Sequence, residues 1–414
     1  MNPARAIQDS SAGVSTLERP AGGLRVCMVH HSDFHVDSRI QRQARALAER
    51  GDEVHLVCLS DPGVEHVGLG RIVLHRVGGQ KAGGGVRGYV GGYARFLLGA
   101  MRQVTALDHR GRLDLVEAHN MPDILTAAAI VPRLRGTPVI LNVHDTFPEL
   151  FATKFEREAG HPAVRAVYVQ ERLAAAMADR VITVTETFRD VLDRRGIGDG
   201  RITVVMNAPD ERAFGPARTP RELPADGPVR VLYHGGLAPR FGADVLVQAA
   251  AQLDVERPVE VRICGTGDED RLRVAALARE IAPDRVDVAP EVVPFADIPA
   301  ELEAAHIGVV PTIRDGFTEM LLPVKLLEYV HMGLPAVSSE LPGIRRHFGD
   351  DDLLFTPPGD AAALAAAIRG VIASPDRSRE RALSASRRLT GFAWAGQRDG
   401  YLALVDELVA ERRR

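Results

Sequence analysis

The sequence of 414 residues has little cysteine and no long apolar run. Its three cysteines, Cys27, Cys58 and Cys264, lie inside short apolar segments without metal-ligand spacing, which indicates buried thiols in a reducing compartment. No stretch approaches the roughly 20 apolar residues that a membrane-spanning helix needs. A formal net charge of −4 gives no reason to expect a nucleic-acid partner. These absences favour a globular cytoplasmic protein.

Lysine is also rare, with three lysines among the 51 lysine and arginine residues. One of them, Lys325, stands in "LLPVKLLEYVHMG", where Pro323 and Gly333 mark the ends of an amphipathic helix. A cation in the first turn opposes the helix dipole by roughly 0.3–1 kcal/mol. An ion pair with Glu328, three residues later, would return only about 0.2–0.5 kcal/mol. Helix stability therefore does not explain the pair.

Short apolar runs alternate with helical patterns from Leu24 onward, beginning with "LRVCMVHH" and "EVHLVCLS". Such strands are typical of a parallel sheet covered by helices on both faces. The pattern stops at the proline-rich "FGPARTPRELPADGP" and restarts at "VRVLYHGG". The sequence therefore predicts two tandem doubly wound α/β domains that face each other across a cleft.

The same patterns divide the chain into five segments. Residues 1–22 are polar, lack the apolar centre of a signal peptide, and are expected to form a disordered leader. Residues 23–214 and 229–392 are the two predicted domains, and residues 215–228 are the linker. Residues 393–414 contain a final helix that could pack on either domain.

Polar and small residues follow the predicted strands. Ligands of parallel sheets bind at the carboxyl ends of the strands. In the first domain these ends carry histidines, of which His119 in "EAHNMPD" is the strongest candidate and His144-Asp145 the second. A hydrogen-bonded structural histidine is the alternative at each position. In the second domain the ends carry small residues that let a ligand approach the backbone: Gly235, Gly236 and Gly265.

Two other kinds of site fit less well. The first strand runs into "HHSDFHVDSRIQRQ", which has no glycine, and "CGTGDED" lacks the third glycine of a dinucleotide-binding turn. The acidic run Asp350–Asp352 suggests a metal, but consecutive carboxylates in a turn usually form a solvated loop. We therefore expect neither a metal nor a dinucleotide cofactor.

A bound anion would reverse the cost of Lys325, because helix N-termini and cations both attract phosphate. Glu328 lies about one turn (~5.4 Å) further along and could accept hydrogen bonds from two ribose hydroxyls. A nucleoside diphosphate would suit this pair. A partly exposed ion pair on an amphipathic helix is the equal alternative.

The order and content of these motifs resemble the retaining GT-B glycosyltransferases, specifically glycosyltransferase family 4. The resemblance covers nearly the whole chain and rests on "HDTFPE", "RVITVTE", "VVMNAPD", "LYHGGLAPRFGADVLVQA", "ICGTGDEDRL" and "PVKLLEYVHMGLPAV". It implies the GT-B fold, with the segment around Trp394 crossing back onto the first domain. It also implies metal-independent sugar transfer from a nucleotide-diphosphate sugar to a hydroxyl, with retention of configuration.

The resemblance implies a role for each candidate residue. Glu328 would hold the donor ribose and His119 would hydrogen-bond the transferred sugar. Lys325, Arg240 and the backbone amides of residues 319–322 would take the charge of the leaving diphosphate. The catalytic candidates are thus His119, Lys325 and Arg240. The donor-binding candidates lie in several turns: Gly235, Gly236, Arg240, Gly265, Glu319, Met320, Leu321, Leu322, Lys325 and Glu328.

Three positions depart from the family pattern. Met320 stands where the family often has a glutamate eight residues before Glu328, and Glu319 is one residue out of register. Gly236 and Phe241 replace two cations of the diphosphate turn. We interpret these changes as substitution by other cations, with consequences for how the donor sugar is held.

The first domain is expected to bind the acceptor. Its candidate contacts follow two strands: Asp33, Asp37, Arg39, His144 and Asp145. Helix N-capping is the alternative role of Asp37. The segment "GYVGGYARFLLGAMRQ" could meet a lipid-linked acceptor at the inner face of a membrane, although a buried helix is the simpler interpretation.

Several alternatives stay open at this point. UDP is favoured as the nucleotide, ahead of GDP and dTDP, and no cofactor is required beyond the donor substrate. A nucleotide-sugar epimerase of the same fold, or a nucleotide-sugar-binding subunit without catalysis, is the alternative function. The acceptor could be a glycan, a glycolipid or a secondary metabolite, and the oligomeric state is not determined.

Overall fold

The computed structural model describes residues 23–59, 63–67, 70–78, 85–224, 226–254 and 257–413. The leader predicted at 1–22 lies outside these residues. The described chain forms two α/β halves, and each half is a largely parallel sheet with apolar clusters on both faces. The predicted pair of doubly wound domains is confirmed. None of the helices in the described ranges is both long and apolar enough to cross a bilayer.

The N-terminal sheet has the strand order β3-β4-β2-β1-β5-β6-β7-β8 within the described residues. Its strands are β1 (Arg25–His30), β2 (Glu53–Leu59), β3 (Gly63–Val67), β4 (Ile72–Val77), β5 (Leu115–His119), β6 (Val139–Val143), β7 (Arg180–Thr183) and β8 (Ile202–Val204). Its helices are α1 (Ser38–Arg50), α2 (Gly85–Arg110), α3 (Ile130–Leu134), α4 (Phe147–Lys154), α5 (Pro162–Ala176), α6 (Glu186–Arg194) and α7 (Glu211–Phe214). The edge strand β3 runs antiparallel to β4, and the other pairs are parallel.

The C-terminal sheet is parallel throughout, in the order β11-β10-β9-β12-β13-β14 among the residues described. Its strands are β9 (Val229–Gly236), β10 (Val259–Thr266), β11 (Val286–Val288), β12 (Ile307–Val310), β13 (Ala336–Ser339) and β14 (Leu354–Thr356). The helices that follow are α8 (Ala243–Ala251), α9 (Asp268–Ile281), α10 (Ile298–Ala304), α11 (Val324–His331), α12 (Pro342–Arg345), α13 (Ala361–Ala373), α14 (Pro375–Leu389) and α15 (Trp394–Arg413).

Local sequence explains how the first helix is placed after β1. The Asp37 carboxylate accepts a hydrogen bond from the Arg39 amide and caps α1, as the alternative reading of Asp37 predicted. Gly51 ends the helix with φ of 110°, a conformation that glycine adopts without a Cβ clash. The carboxyl end of β1 and the first turn of α1 therefore meet at the cleft edge of the sheet.

The last helix, α15, crosses back onto the N-terminal half, as the resemblance implied. Tyr401, Leu404, Val405 and Leu408 are buried there with the apolar residues of β1, β2 and α1. Near the linker, Met206 and Phe214 pack into the core of the C-terminal half. The domain boundaries given above stay a prediction.

Candidate active site

A cavity of about 290 Å³ lies at the carboxyl ends of the C-terminal strands. Three titratable side chains are in its described lining: His234 near the end of β9, and Lys325 and Glu328 on one face of α11. Gly235, Gly236 and Phe241 form the facing turn. The structure thus brings Lys325 and Glu328 together with the glycine turn in one concave site.

The ammonium group of Lys325 lies over an aromatic ring. Its Nζ is 3.9 Å from the Tyr233 ring centre and 5.6 Å from that of Phe241, which are cation–π distances. Burial lowers the pKa of Lys325 to about 7, although the Glu328 carboxylate acts in the opposite direction. An anion in the cavity would therefore meet a cation that its buried surroundings solvate poorly.

Gly235 leaves the space that this lysine occupies. Its φ is +115°, and a Cβ added there would stand 2.9 Å from the Lys325 Nζ. A Cβ on Gly236 would meet the Phe241 ring at 2.9 Å. The glycine turn is therefore shaped by the side chains that line the cavity.

Glu328 is buried one turn further along the helix. Its Oε2 lies 3.3 Å from His234 Nε2. Burial raises the pKa of Glu328 to about 7, while Arg42 of the N-terminal half and Lys325 lower it. Arg42 was not predicted as a site residue, since nothing in "SRIQRQARALAER" separates it from the other arginines of α1.

The remaining donor candidates surround the cavity unevenly. Leu321 lines it, whereas Leu322 is buried in the core of the C-terminal half. Arg240 sits in the turn beside Phe241, and its Nη1 is buried without a hydrogen bond among the described residues. Gly265 pairs with Gly235 across the sheet, and a Cβ there would meet Leu237 at 2.2 Å.

In the turn before α11, backbone amides donate hydrogen bonds to carbonyls of the same turn. The amides of Glu319, Met320 and Leu321 donate to the carbonyls of Asp315, Phe317 and Thr318. Contact between these amides and a diphosphate stays a prediction. Met320 packs with Val184, Phe188 and Val191 of the N-terminal half, which gives a physical reason for an apolar residue at this position.

His119 and His144 form a stacked pair at the opposite edge of the cleft. The Nδ1 of His119 lies 3.0 Å from Nε2 of His144, with the ring planes 11° apart. Burial holds the pKa of both rings well below the usual value, so both are neutral near pH 7. His119 is fully buried, and its Nε2 makes no hydrogen bond among the described residues.

The other acceptor candidates fall into two groups. Arg39 forms a two-pronged ion pair with Asp37, at 3.1 Å and 2.9 Å, and Asp37 also lies 3.3 Å from His30 Nε2. Burial raises the pKa of Asp145, while nearby Arg39 lowers it. Asp33 instead accepts a hydrogen bond from the His35 amide in a local turn.

Glu117 lies beneath the histidine pair and was not predicted. Its Oε1 is 3.6 Å from His119 Nε2 and accepts a hydrogen bond from Asn142. Its Oε2 accepts one from the Tyr401 hydroxyl at 2.6 Å. The apolar residues of "LVEAH" point to a strand, but the hydrogen-bond partner of Glu117 on α15, 284 residues away, leaves no local signal.

The acidic run is not wholly a solvated loop, and that prediction is wrong for Asp352. Asp350 and Asp351 are exposed, but Asp352 is buried and accepts hydrogen bonds from the Gly349 amide and the Ser384 hydroxyl. It also pairs with Arg388. Among the described residues, no three metal-ligating side chains lie close enough together to hold an ion.

Two family models match the two halves of the chain. A glycosyl transferase 4-like domain spans residues 36–208, and a glycosyl transferases group 1 domain spans residues 228–374. The chain belongs to the GT-B glycosyltransferases. The family indicated by the resemblance is thereby confirmed.

Two relatives of this glycosyltransferase are named as glycosyltransferase and synthase enzymes. D-inositol 3-phosphate glycosyltransferase of Kineococcus radiotolerans is 26% identical, over 97% of this chain and 95% of the relative. Glycogen synthase of Mycobacterium tuberculosis is 27% identical, over 73% of this chain and 71% of the relative. These relatives favour a transferase over the epimerase and the silent subunit.

Solved structures share the fold of this glycosyltransferase at low identity. Sucrose-phosphate synthase of Thermosynechococcus elongatus has a TM-score of 0.77 at 19% identity, covering 94% of this chain and all of its own. Anabaena Alr3699/HepE in complex with UDP-glucose has a TM-score of 0.68 at 16% identity, covering 93% of this chain and 100% of its own. At these identities the likeness establishes the GT-B fold.

Proposed function

We propose that this glycosyltransferase moves a hexosyl group from a UDP-sugar to an acceptor hydroxyl, with retention of configuration and without a metal ion. The observation that carries the proposal is the single face of α11 on which Lys325 and Glu328 both line the cavity. The UDP-glucose complex of Anabaena Alr3699/HepE, a protein of the same fold, supports UDP as the nucleotide.

The donor end of the site follows from charge. The diphosphate would lie against Lys325, which offers a cation with little competing water, and beside the glycine turn at Gly235. Arg240, with its unpaired Nη1, is the second cation of this region. Glu328 would accept the ribose hydroxyls. As the glycosidic bond breaks, Lys325 would stabilise the negative charge on the leaving phosphate.

The acceptor end lies at the histidine pair. The buried Nε2 of His119 lies 3.6 Å from Glu117 but makes no hydrogen bond among the described residues, and a sugar hydroxyl would satisfy it. Asp145 and Arg39 are partly exposed beside it and would orient the acceptor. With retention, the acceptor hydroxyl attacks from the side of the departing phosphate, which takes up its proton. The phosphate then serves as the base, and no protein nucleophile is needed.

Thermal unfolding with UDP, GDP and dTDP tests the donor site. A ligand at 100 times its dissociation constant stabilises a protein by roughly 2.7 kcal/mol. We expect UDP to raise the melting temperature of the parent and of Glu380→Ala, a matched control on the exposed surface of α14, but not of Glu328→Ala. Equal stabilisation of both variants would remove Glu328 from the donor site. No response of the parent to any nucleotide would contradict the donor proposal.

Two further measurements address the reaction itself. Proton NMR of the product should give the anomeric configuration of the donor, and the opposite configuration would contradict retention. Activity should persist in excess EDTA, and its loss with recovery on adding a divalent ion would contradict metal independence.

A further inference from the structure

A second cavity, of about 330 Å³, opens in the N-terminal half beside the histidine pair. It lies between α2, the turn after β5, α4 and α5. Its lining is almost entirely apolar, apart from the amide group of Gln170 and the ammonium group of Lys154. The amide of Gln170 already donates to Asp123. We call this cavity the aromatic pocket.

Four aromatic rings line it: Tyr93, Phe147, Phe151 and Phe155. Tyr93 and Phe147 meet edge to face at 6.4 Å, as do Phe147 and Phe151 at 6.2 Å. The whole chain has 13 phenylalanines and 6 tyrosines, so this one pocket holds an unusual share of them. Ring faces and edges arranged this way accommodate another flat ring.

The aromatic pocket lies beside the acceptor end of the cleft. Met121 and Pro122 follow His119 directly, and Phe147 follows the His144-Asp145 pair. The Tyr93 ring contacts the His31 ring at 4.8 Å. The neighbouring His30 ring lies 6.0 Å from that of His119. A molecule in the pocket would therefore lie close to the acceptor end of the cleft.

The pocket is also open to solvent at its rim, where Val90 is 62% exposed. Apolar surface left open in this way is costly unless a ligand covers it. Its volume lies at the lower end of the range of small-molecule sites, roughly 300–1,000 Å³. A compact rigid group matches this size.

We propose that the aromatic pocket binds the body of the acceptor, and that this acceptor is a hydroxylated aromatic compound. The inference rests on the proposed function, since it names the substrate of the same cleft. The ring system would lie among Tyr93, Phe147 and Phe151, with its hydroxyl directed toward His119 and the donor sugar.

Fluorescence titration with 4-methylumbelliferone, a phenolic probe, tests the pocket in the full chain. We expect Leu150→Gln and Val90→Gln, which place an amide in the lining, to weaken probe binding about tenfold. Leu98→Gln is the matched control, because Leu98 lies on α2, is 54% exposed and is absent from the lining. It should bind the probe as the parent does.

The UDP-induced melting shift, measured on the same variants, separates the two proposals. If UDP gives no melting shift in the parent while the probe binds to parent and variants as expected, the donor site is rejected and the pocket proposal is unaffected. No probe binding by the parent, or equal binding by all variants, would overturn the pocket. If the pocket variants instead reduce binding to phosphatidylglycerol vesicles and leave the probe unaffected, the surface is a lipid contact and the proposal is wrong.

Discussion

Two ionisable side chains on α11 have pKa values displaced toward each other by burial. The pKa of Lys325 falls to about 7 and that of Glu328 rises to about 7. Each group must be charged for its proposed contact, Lys325 with the diphosphate and Glu328 with the ribose. Neutral pH therefore favours both contacts at once, and departure in either direction removes one.

UDP affinity is accordingly expected to peak near pH 7. Above this pH the free protein loses the Lys325 proton that the bound diphosphate requires, so affinity should fall up to about tenfold per pH unit. Below it, Glu328 gains a proton and no longer accepts from both hydroxyls. Isothermal titration from pH 5.5 to 9 measures the curve.

Lys325→Met is the control for this curve. The ratio of parent to variant affinity removes the titration of UDP itself, which both proteins share. That ratio should decline above pH 7. A ratio independent of pH would mean that Lys325 does not carry the diphosphate.

His119 is buried and neutral, which suits a hydrogen bond rather than an ion pair. We expect His119→Asn to lower kcat by about 10²–10³, the range found when one transition-state hydrogen bond is removed. The UDP-induced melting shift should persist, because the donor cavity is lined by the other half of the chain. An equal loss of kcat and of UDP binding would indicate a structural role for the pair.

At the level of elements, α15 joins the C-terminal end of the chain to the core beneath the histidines. The Tyr401 hydroxyl donates to Glu117, a carboxyl whose pKa burial raises to about 7. Tyr401→Phe should lower the free energy of unfolding by about 1–3 kcal/mol, because it leaves a buried acceptor without its donor. Chemical denaturation measures this change.

The matched control is Tyr168→Phe. The Tyr168 hydroxyl also donates to a glutamate, Glu149, but at a partly buried site. Its removal should cost less than 1 kcal/mol. Equal losses in the two variants would mean that burial of the Glu117 network adds nothing to stability.

The sequence was sufficient for those elements whose signals are local. Pro323 and Gly333 bracket α11 as predicted, with Pro323 as its N-cap. The segment "GYVGGYARFLLGAMRQ", for which a helix was the simpler interpretation, lies within α2. The edge strand β3 was missed because "GVEHV" is too short to carry a pattern of its own, and it forms by pairing with β4.

The candidate site divides in the same way. Lys325 and Glu328 were found because a cation in the first turn of a helix conflicts with helix physics. Arg42 and Glu117 were missed because their partners lie far away in the sequence. Their environments depend on the packing of both halves. Outside the site, the burial of Asp352 was mispredicted because Ser384 and Arg388, which contact it, lie on a later helix.

At the scale of the whole molecule, the two halves also meet at the donor turn, which is the turn before α11 (residues 315–321). Met320 packs with Val184, Phe188 and Val191, and nearby Arg346 forms an ion pair with Asp190 at 2.5 Å. All four side chains of the apolar contact are buried, whereas both partners of the ion pair are 38% exposed. Surface pairs contribute about 0–1 kcal/mol, so the apolar contact should contribute more than this ion pair to the association of the halves.

Met320→Ala is therefore expected to lower the free energy of unfolding by about 2–3 kcal/mol, near the lower end of the range for truncated core methionines. Arg346→Ala should change it by less than 1 kcal/mol. UDP affinity should stay within about twofold in both, because hydrogen bonds within residues 315–321 hold the donor turn. Urea denaturation and UDP titration of the two variants measure these effects. If Arg346→Ala is the more destabilising change, the ion pair contributes more than the apolar packing at this contact. The apolar residue at position 320 would then stabilise the turn rather than the contact between the halves.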